Sequence, residues 1–265
     1  MSTLSFNSYA KDYDKHFTNS PIGILQRKRV YKYLLPLLSK QKKVLEINCG
    51  TGEDAIYIAQ KVKSVLATDI SSEMIREGQA KKNKNNLDNV IFEISDINEL
   101  HTKLSSSFDL LFSDFGGLNC LSGEELKKFS TNISSSISNR GHLALVIMGK
   151  KCFWENFFYL WQGDKRYKRR NTKQGQKTEI NGAQFLTYYH SPKEISSVFF
   201  KDFRTIKIRP IGLFVPPSYL NTYFANKPIL LQALNICERI FANFALFANF
   251  ADHYFILLQK KSLTE

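Results

Sequence analysis

The chain has 265 residues, 43% of them hydrophobic, with 37 Lys and Arg against 24 Asp and Glu for a formal net charge of +13. That length and apolar content suffice for one domain with a full α/β core. No run approaches the ~18 apolar residues of a membrane span and no charged-then-apolar leader is visible, so a cytoplasmic protein is expected. In chain order, Phe6, Tyr9, Tyr13 and Phe17 recur at helical spacing and give a leader helix with one aromatic face. It either packs on the domain or closes over a ligand, with Thr18–Gly23 as the hinge. Val44, Leu45 and Ile47 read as a buried strand, Asn48 to Gly52 as a turn and Glu53 onward as a helix start. Further strands are expected at Ser64–Asp69, Val90–Ile94 and Phe108–Ser113, each running into an acid: Asp69, Asp96 and Asp114. A helix over Glu124–Ile137 and a fifth strand over His142–Met148 follow. Beyond them come an insertion from Gly149 to about Gly182, a helix starting at Ser191-Pro192 and a strand from about Phe203 to Arg209. A second insertion covers 216–250, and His253–Gln259 reads as a last, antiparallel edge strand.

The turn carries the chemistry. Gly50, Gly52 and Ala55 match the dinucleotide spacing G-x-G-x-x-A, but Glu53 and Asp54 stand where a pyrophosphate needs bare N–H groups. Glu46, just before the turn, favours instead a positively charged ligand such as the ammonium and sulfonium of S-adenosylmethionine. Asn48 precedes the two glycines and is one of the few other residues that tolerate positive φ. The stretch VLEINCGTGEDA therefore resembles motif I of the class I, Rossmann-like S-adenosylmethionine methyltransferases, with Asn48 in place of the first glycine of an acid followed by G-x-G-x-G. The resemblance implies a seven-stranded, mostly parallel sheet with helices on both faces and helical insertions in the C-terminal half. It divides one domain, 1–265, into lid helices (1–40), a cofactor-binding half (41–148) and substrate-shaping insertions (149–190 and 210–250). It assigns Glu46, Asn48, Gly50 and Gly52 to the cofactor loop, Asp69 to the ribose, and Ile70, Met74, Asp96 and Ile97 to the adenine. Asp114 and Phe115 fall to the cofactor's methyl end, while Tyr13 and Arg27 are candidates for the methionyl carboxylate, with Arg29 competing for Arg27's place. S-adenosyl-L-homocysteine would be the product.

The acceptor is less defined. His16, His190 and, third, His253 are candidate bases for a hydroxyl acceptor, since imidazole titrates near neutral pH, and Asn119 is placed to orient the acceptor. Phenylalanine at 241, 244, 247 and 250, interleaved with alanines, suggests one apolar helix with a phenylalanine ridge that either packs in the core or lines a pocket for an aromatic or lipid-like metabolite. O-methylation in biosynthesis of such a compound is the favoured reading. From Lys150 to Lys177 the first insertion carries nine bases against two acids beside an aromatic block, CFWENFFYLW. That composition suits a peripheral membrane surface, an acidic carrier protein or, as the weaker reading, RNA. Methylation of RNA or protein and a non-catalytic cofactor-binding scaffold are the alternatives. Cys49, Cys120, Cys152 and Cys237 show no metal-ligand or C-x-x-C spacing and the histidines no zinc pattern, so reduced thiols and no metal are expected.

Overall fold

The computed structural model describes residues 7, 10–104, 107–172, 174–180 and 183–262. Helix α1 (Ala10–Tyr13) runs into a π-helical turn at Asp14–Thr18 and then α2 (Pro21–Leu34). Alternation follows with β1 (Lys43–Ile47), α3 (Glu53–Ala59), β2 (Ser64–Asp69), α4 (Ser72–Lys84), β3 (Val90–Ile94), α5 (Leu100–Lys103), β4 (Phe108–Ser113), α6 (Gly123–Ser134) and β5 (Ile137–Met148). The remainder is α7 (Phe153–Trp161), a hairpin of β6 (Gln176–Ile180) and β7 (Ala183–Thr187), α8 (Pro192–Phe199), β8 (Phe203–Ile211), α9 (Asn221–Ala225), α10 (Pro228–Phe241) and β9 (His253–Lys260).

Seven strands form one sheet in the order β3-β2-β1-β4-β5-β9-β8, parallel through β5 and antiparallel at β9. Neighbouring residues on each strand serve opposite faces, as the two-residue strand period requires. Val44, Leu110, Ala144 and Phe255 pack under α2, α3 and α4, while Leu45, Leu111, Leu143 and Ile256 pack under α6 and α8. Burial on both faces is why these strands are continuous apolar runs. The fold is thus the Rossmann-like sheet with helices on both faces.

Three expectations are corrected. His253–Gln259 is not an edge strand but lies between β5 and β8. Its first six residues are all buried, which an edge cannot provide, whereas β8 carries the devices of an edge in Lys207, Arg209 and Pro210. The phenylalanine ridge is not one helix: α10 ends at Phe241, and Ala245–Asn249 is a 3₁₀ turn. A recurrence of three is the period of the 3₁₀ helix, not of 3.6 residues per turn. Finally, Ile22 and Gly23 belong to α2, which is capped by Ser20 and begins at Pro21. A Cβ on Gly23 would sit 2.0 Å from the Phe17 carbonyl oxygen, so the supposed hinge is a close-packed joint.

A polar knot ties the substrate half to the sheet. Asn119 Nδ2 donates to the carbonyls of Met148 (3.1 Å) and Tyr188 (2.6 Å), and its Oδ1 accepts from Met148 N (2.8 Å). The His190 ring bonds the Leu121 carbonyl through Nε2 at 3.1 Å, its N–H donates to Met148 O, and its own carbonyl accepts from the Tyr254 hydroxyl. Burial keeps the His190 imidazole below its ordinary pKa, so the unfolded chain takes up that proton first as pH falls. Stability should therefore decline between about pH 7 and pH 5, and His190→Gln, which keeps a donor for Leu121, should reduce the decline in thermal unfolding curves.

Candidate functional site

The loop after β1 reverses through positive φ at Asn48 (53°), Gly50 (52°) and Gly52 (74°), so asparagine does replace the first glycine without breaking the turn. Gly52 also has no room for a side chain, since a Cβ would lie 2.5 Å from the Phe92 ring, whereas one on Gly50 would meet nothing within 4 Å. Gly50 therefore faces open space. Its N–H donates to Asp69 Oδ2 at 2.9 Å, and Ser71 N donates to Oδ1 at 2.9 Å. Burial raises the Asp69 carboxyl above its usual range, against the pull of these backbone donors. Asp69 thus splices the glycine loop to the end of β2. Ser95 N donates to the Asp69 carbonyl at 2.9 Å, which brings Asp96 alongside, its carboxylate accepting from Asn98 N.

Beside this loop a narrow cleft opens, with about 30 Å³ of free volume and with Tyr13, Arg27, Asn48, Asp54, Asp114 and Phe115 in its wall. Arg27, from α2, is buried. It is ion-paired to Asp54 of α3 and lies 4.0 Å from Asp114 Oδ2 at the end of β4. Desolvation opposes its charge, but Asp54 and Asp114 hold the guanidinium protonated. Burial, then Asp54, pushes both the Asp114 and Glu46 carboxyls well above the usual carboxylate range. The Tyr31 hydroxyl donates to Asp54 Oδ1 at 2.7 Å. Four buried atoms here make no hydrogen bond: Arg27 Nε, Glu46 Oε2, Asn48 Nδ2 and Asp114 Oδ2. A buried donor or acceptor without a partner is costly, and this set of two acid oxygens, an amide and a guanidinium is the complement of an α-amino acid zwitterion. The residues therefore fit the methionyl end of S-adenosylmethionine. Arg29 turns instead towards Tyr33 and Glu238, so Arg27 is the one of the two arginines in the cleft wall.

The leader covers the cleft. Phe17 packs edge-on against Phe115 at 4.8 Å, and Arg27 lies against both rings at 5.7 and 5.3 Å. Thr51 Oγ1 donates to Asp14 Oδ1, and Lys81 Nζ lies 2.6 Å from Asp14 Oδ2. The free space is about a tenth of the ~300 Å³ at which small-molecule sites begin, so a nucleoside needs the leader to shift. Phe6 and Tyr9 lie outside the described residues. Ile70 and Ile97 are half-buried near the ends of β2 and β3, whereas Met74 is buried. His16 is exposed on the leader turn, and Asn119 and His190 are engaged in the polar knot with no amide N–H of Asn119 left for an acceptor. His253 is closer to the cleft: its ring meets Phe115 edge-on at 5.4 Å, and Nδ1 lies 3.2 Å from Asp252 Oδ2.

Sequence reading missed Asp54 as the partner of Arg27, taking it only as an acid hostile to diphosphate. No local pattern joins residues on separate helices. It also missed the fate of the basic insertion, where Arg169 and Arg170 both grip Glu155, and Arg170 also holds Asp252 at 2.7 Å. Cys152, Glu155 and Asp252 are the metal-capable trio among the described residues, and Arg170 already answers its two carboxylates. Removing the central cation at the cleft should be severe: Arg27→Met should lower stability by ~3–5 kcal/mol, and adding Asp54→Asn should restore part of it in urea unfolding.

Comparison with known proteins agrees with the fold. Two curated relatives match over short segments: a 23S rRNA (uracil(1939)-C(5))-methyltransferase from Aliivibrio salmonicida, 38% identical over 56 residues, and a trans-aconitate 2-methyltransferase from Deinococcus radiodurans, 40% identical over 73 residues. The matches span 21% and 27% of this chain and only 13% and 25% of those proteins. The solved structure of DhpI in complex with SAH superposes with a TM-score of 0.63 at 13% identity, over 98% of this chain and 95% of that one, a likeness of fold. The family described as "Methyltransferase domain" matches residues 38–179, and with more than half its length so matched, the chain belongs to the methyltransferase domain family.

Proposed function

We propose that the chain binds S-adenosylmethionine at the glycine loop and directs methyl transfer to a hydroxyl of a hydrophobic or aromatic small molecule. The observation that carries the reading is the row of side chains leading out of the cleft, from the acid-bound Arg27 through Phe17 and Phe115 to His253. When bound, the cofactor supplies an electrophilic methyl group on a sulfonium. The protein's own contribution is positioning: Arg27 and Tyr13 take the carboxylate, Glu46 and Asp114 the ammonium, and Asp69 the ribose hydroxyls. Alignment of nucleophile and methyl group is worth up to ~7–11 kcal/mol in favourable cases. Phe17 and Phe115 exclude water and present an apolar wall to the acceptor.

For a phenolic or alcoholic acceptor, His253 is the base best supported, ahead of His16 and His190. Burial alone would raise the Asp252 carboxyl, but His253 and Arg170 hold it well below the usual carboxylate range. The Asp252 carboxylate stands 3.2 Å from Nδ1, so Nε2 is the ring nitrogen left to take an acceptor's proton. The reading of the chain as an RNA-directed enzyme has support in the name of one short-segment relative. It is weakened by the use of Arg169 and Arg170 within the protein.

Calorimetric titration with S-adenosylmethionine should give a saturable heat that Asp69→Ala weakens about tenfold to a hundredfold, the equivalent of ~1–3 kcal/mol. Undiminished binding in that variant would remove Asp69 from the site. With a panel of phenolic acceptors, His253→Asn should lower methyl turnover while leaving the cofactor titration unchanged. Saturable binding with no product from any acceptor would favour the scaffold reading.

A further inference from the structure

The two insertion helices α7 and α10 are amphipathic in the wrong sense for a free surface. In α7 the only charged residue, Glu155, is turned inward to Arg169 and Arg170 and Trp154 packs on Phe224 at 6.0 Å. Phe153, Phe157 and Trp161, each four residues after the last, form a row on the outside, the first pair stacked and the second tilted, and Trp161 is 82% exposed. In α10 the only acid, Glu238, is likewise turned inward, accepting from the N–H groups of Gly212, Phe214 and Val215. Ile229 (87% exposed), Ile236 and Ile240 face out. The turn after α10 continues this surface through Phe244 and Leu246 (72% exposed), and joins α7 where Phe153 N donates to the Phe250 carbonyl at 2.7 Å.

Monomeric soluble proteins rarely expose so much contiguous apolar surface, and such a patch marks an interaction site. The charges choose the partner. Both acids are withdrawn beneath the helices, while Lys151 (over the Phe250 ring), Lys165, Lys227 (over the Tyr223 ring) and Arg239 remain around the apolar side chains. A second copy of this +13 chain would bring like charges together. Exposed Trp, Phe and Ile ringed by bases is the composition that seats a helix at the boundary of headgroup and acyl chain. From this we infer that α7, α10 and the 244–250 turn form a docking surface for an anionic phospholipid bilayer, on which the protein lies without crossing. No helix among the described residues is long and apolar enough to span a membrane. The inference goes beyond the methyl-transfer reading and does not depend on it.

The test is co-sedimentation of the whole chain with vesicles of phosphatidylcholine alone and of equal parts phosphatidylcholine and phosphatidylglycerol. Binding to the mixed vesicles is expected, with a blue shift of tryptophan emission that Trp161→Phe removes. Trp161→Ser with Ile229→Ser, and separately Lys151→Glu with Lys165→Glu, should each reduce affinity about tenfold or more. Both pairs are on the surface, so a cofactor titration in the same variants should be unchanged, and loss of cofactor binding in protein that still binds vesicles would count only against the methyltransferase reading. The inference is overturned by no binding to the mixed vesicles, by full binding of the Trp161→Ser/Ile229→Ser variant, by a dimer in light scattering that buries Trp161, or by retention on polyuridylate in place of vesicles.

Discussion

A buried guanidinium among buried carboxyls is the constraint around which the cleft is organised. Arg27 belongs to a helix that precedes the sheet, Asp54 to the helix after the glycine loop, and Asp114 to the end of the fourth strand. Three separate segments must be docked correctly before its charge is answered. A misplaced one would leave an ion in a medium of low dielectric, at a cost of several kcal/mol. The same arrangement leaves two acid oxygens and an amide unpaired. Folding specificity therefore rests on atoms that also wall the cleft.

The turn after β4 that holds Asn119 is fixed in a different way. Asn119 uses both amide hydrogens and its oxygen on backbone groups of β5 and of the segment leaving β7, and His190 is tied to the same region. These bonds are between neutral groups and all are satisfied. The structure thus separates a polar knot that fixes position from a charged cluster left partly open to a ligand. Residues that looked equivalent as loop polars in the sequence fall into two physical classes once their partners are counted.

The cofactor half was largely legible because its information is local. Strand, positive-φ turn and helix follow one another within a dozen residues, and Asn48, Gly50, Gly52 and Asp69 take the conformations their types allow. What escaped was non-local. Asp54 acquires its meaning only from Arg27, and Glu155 and Glu238 only from the loops they reach back to hold. The phenylalanine repeat was misread because a run of threes satisfies a helical eye, although it fits three residues per turn better than 3.6. His253–Gln259 was placed on the edge by chain order, although the continuous apolar run Tyr254–Leu258 is the pattern of a strand covered on both faces.

The position of β9 has a consequence for how the chain is made. β5 must keep one side unpaired until His253 arrives, more than 100 residues after Met148, and β8 has no neighbour in the sheet other than β9. At ribosomal speeds of ~5–20 residues per second, that open border persists for roughly 5–20 seconds during synthesis. The nascent sheet thus carries a long apolar strand with an open border before its partner exists. Completion of the molecule, unlike its cofactor half, is delayed until β9 docks on β5 and brings β8 into the sheet with it.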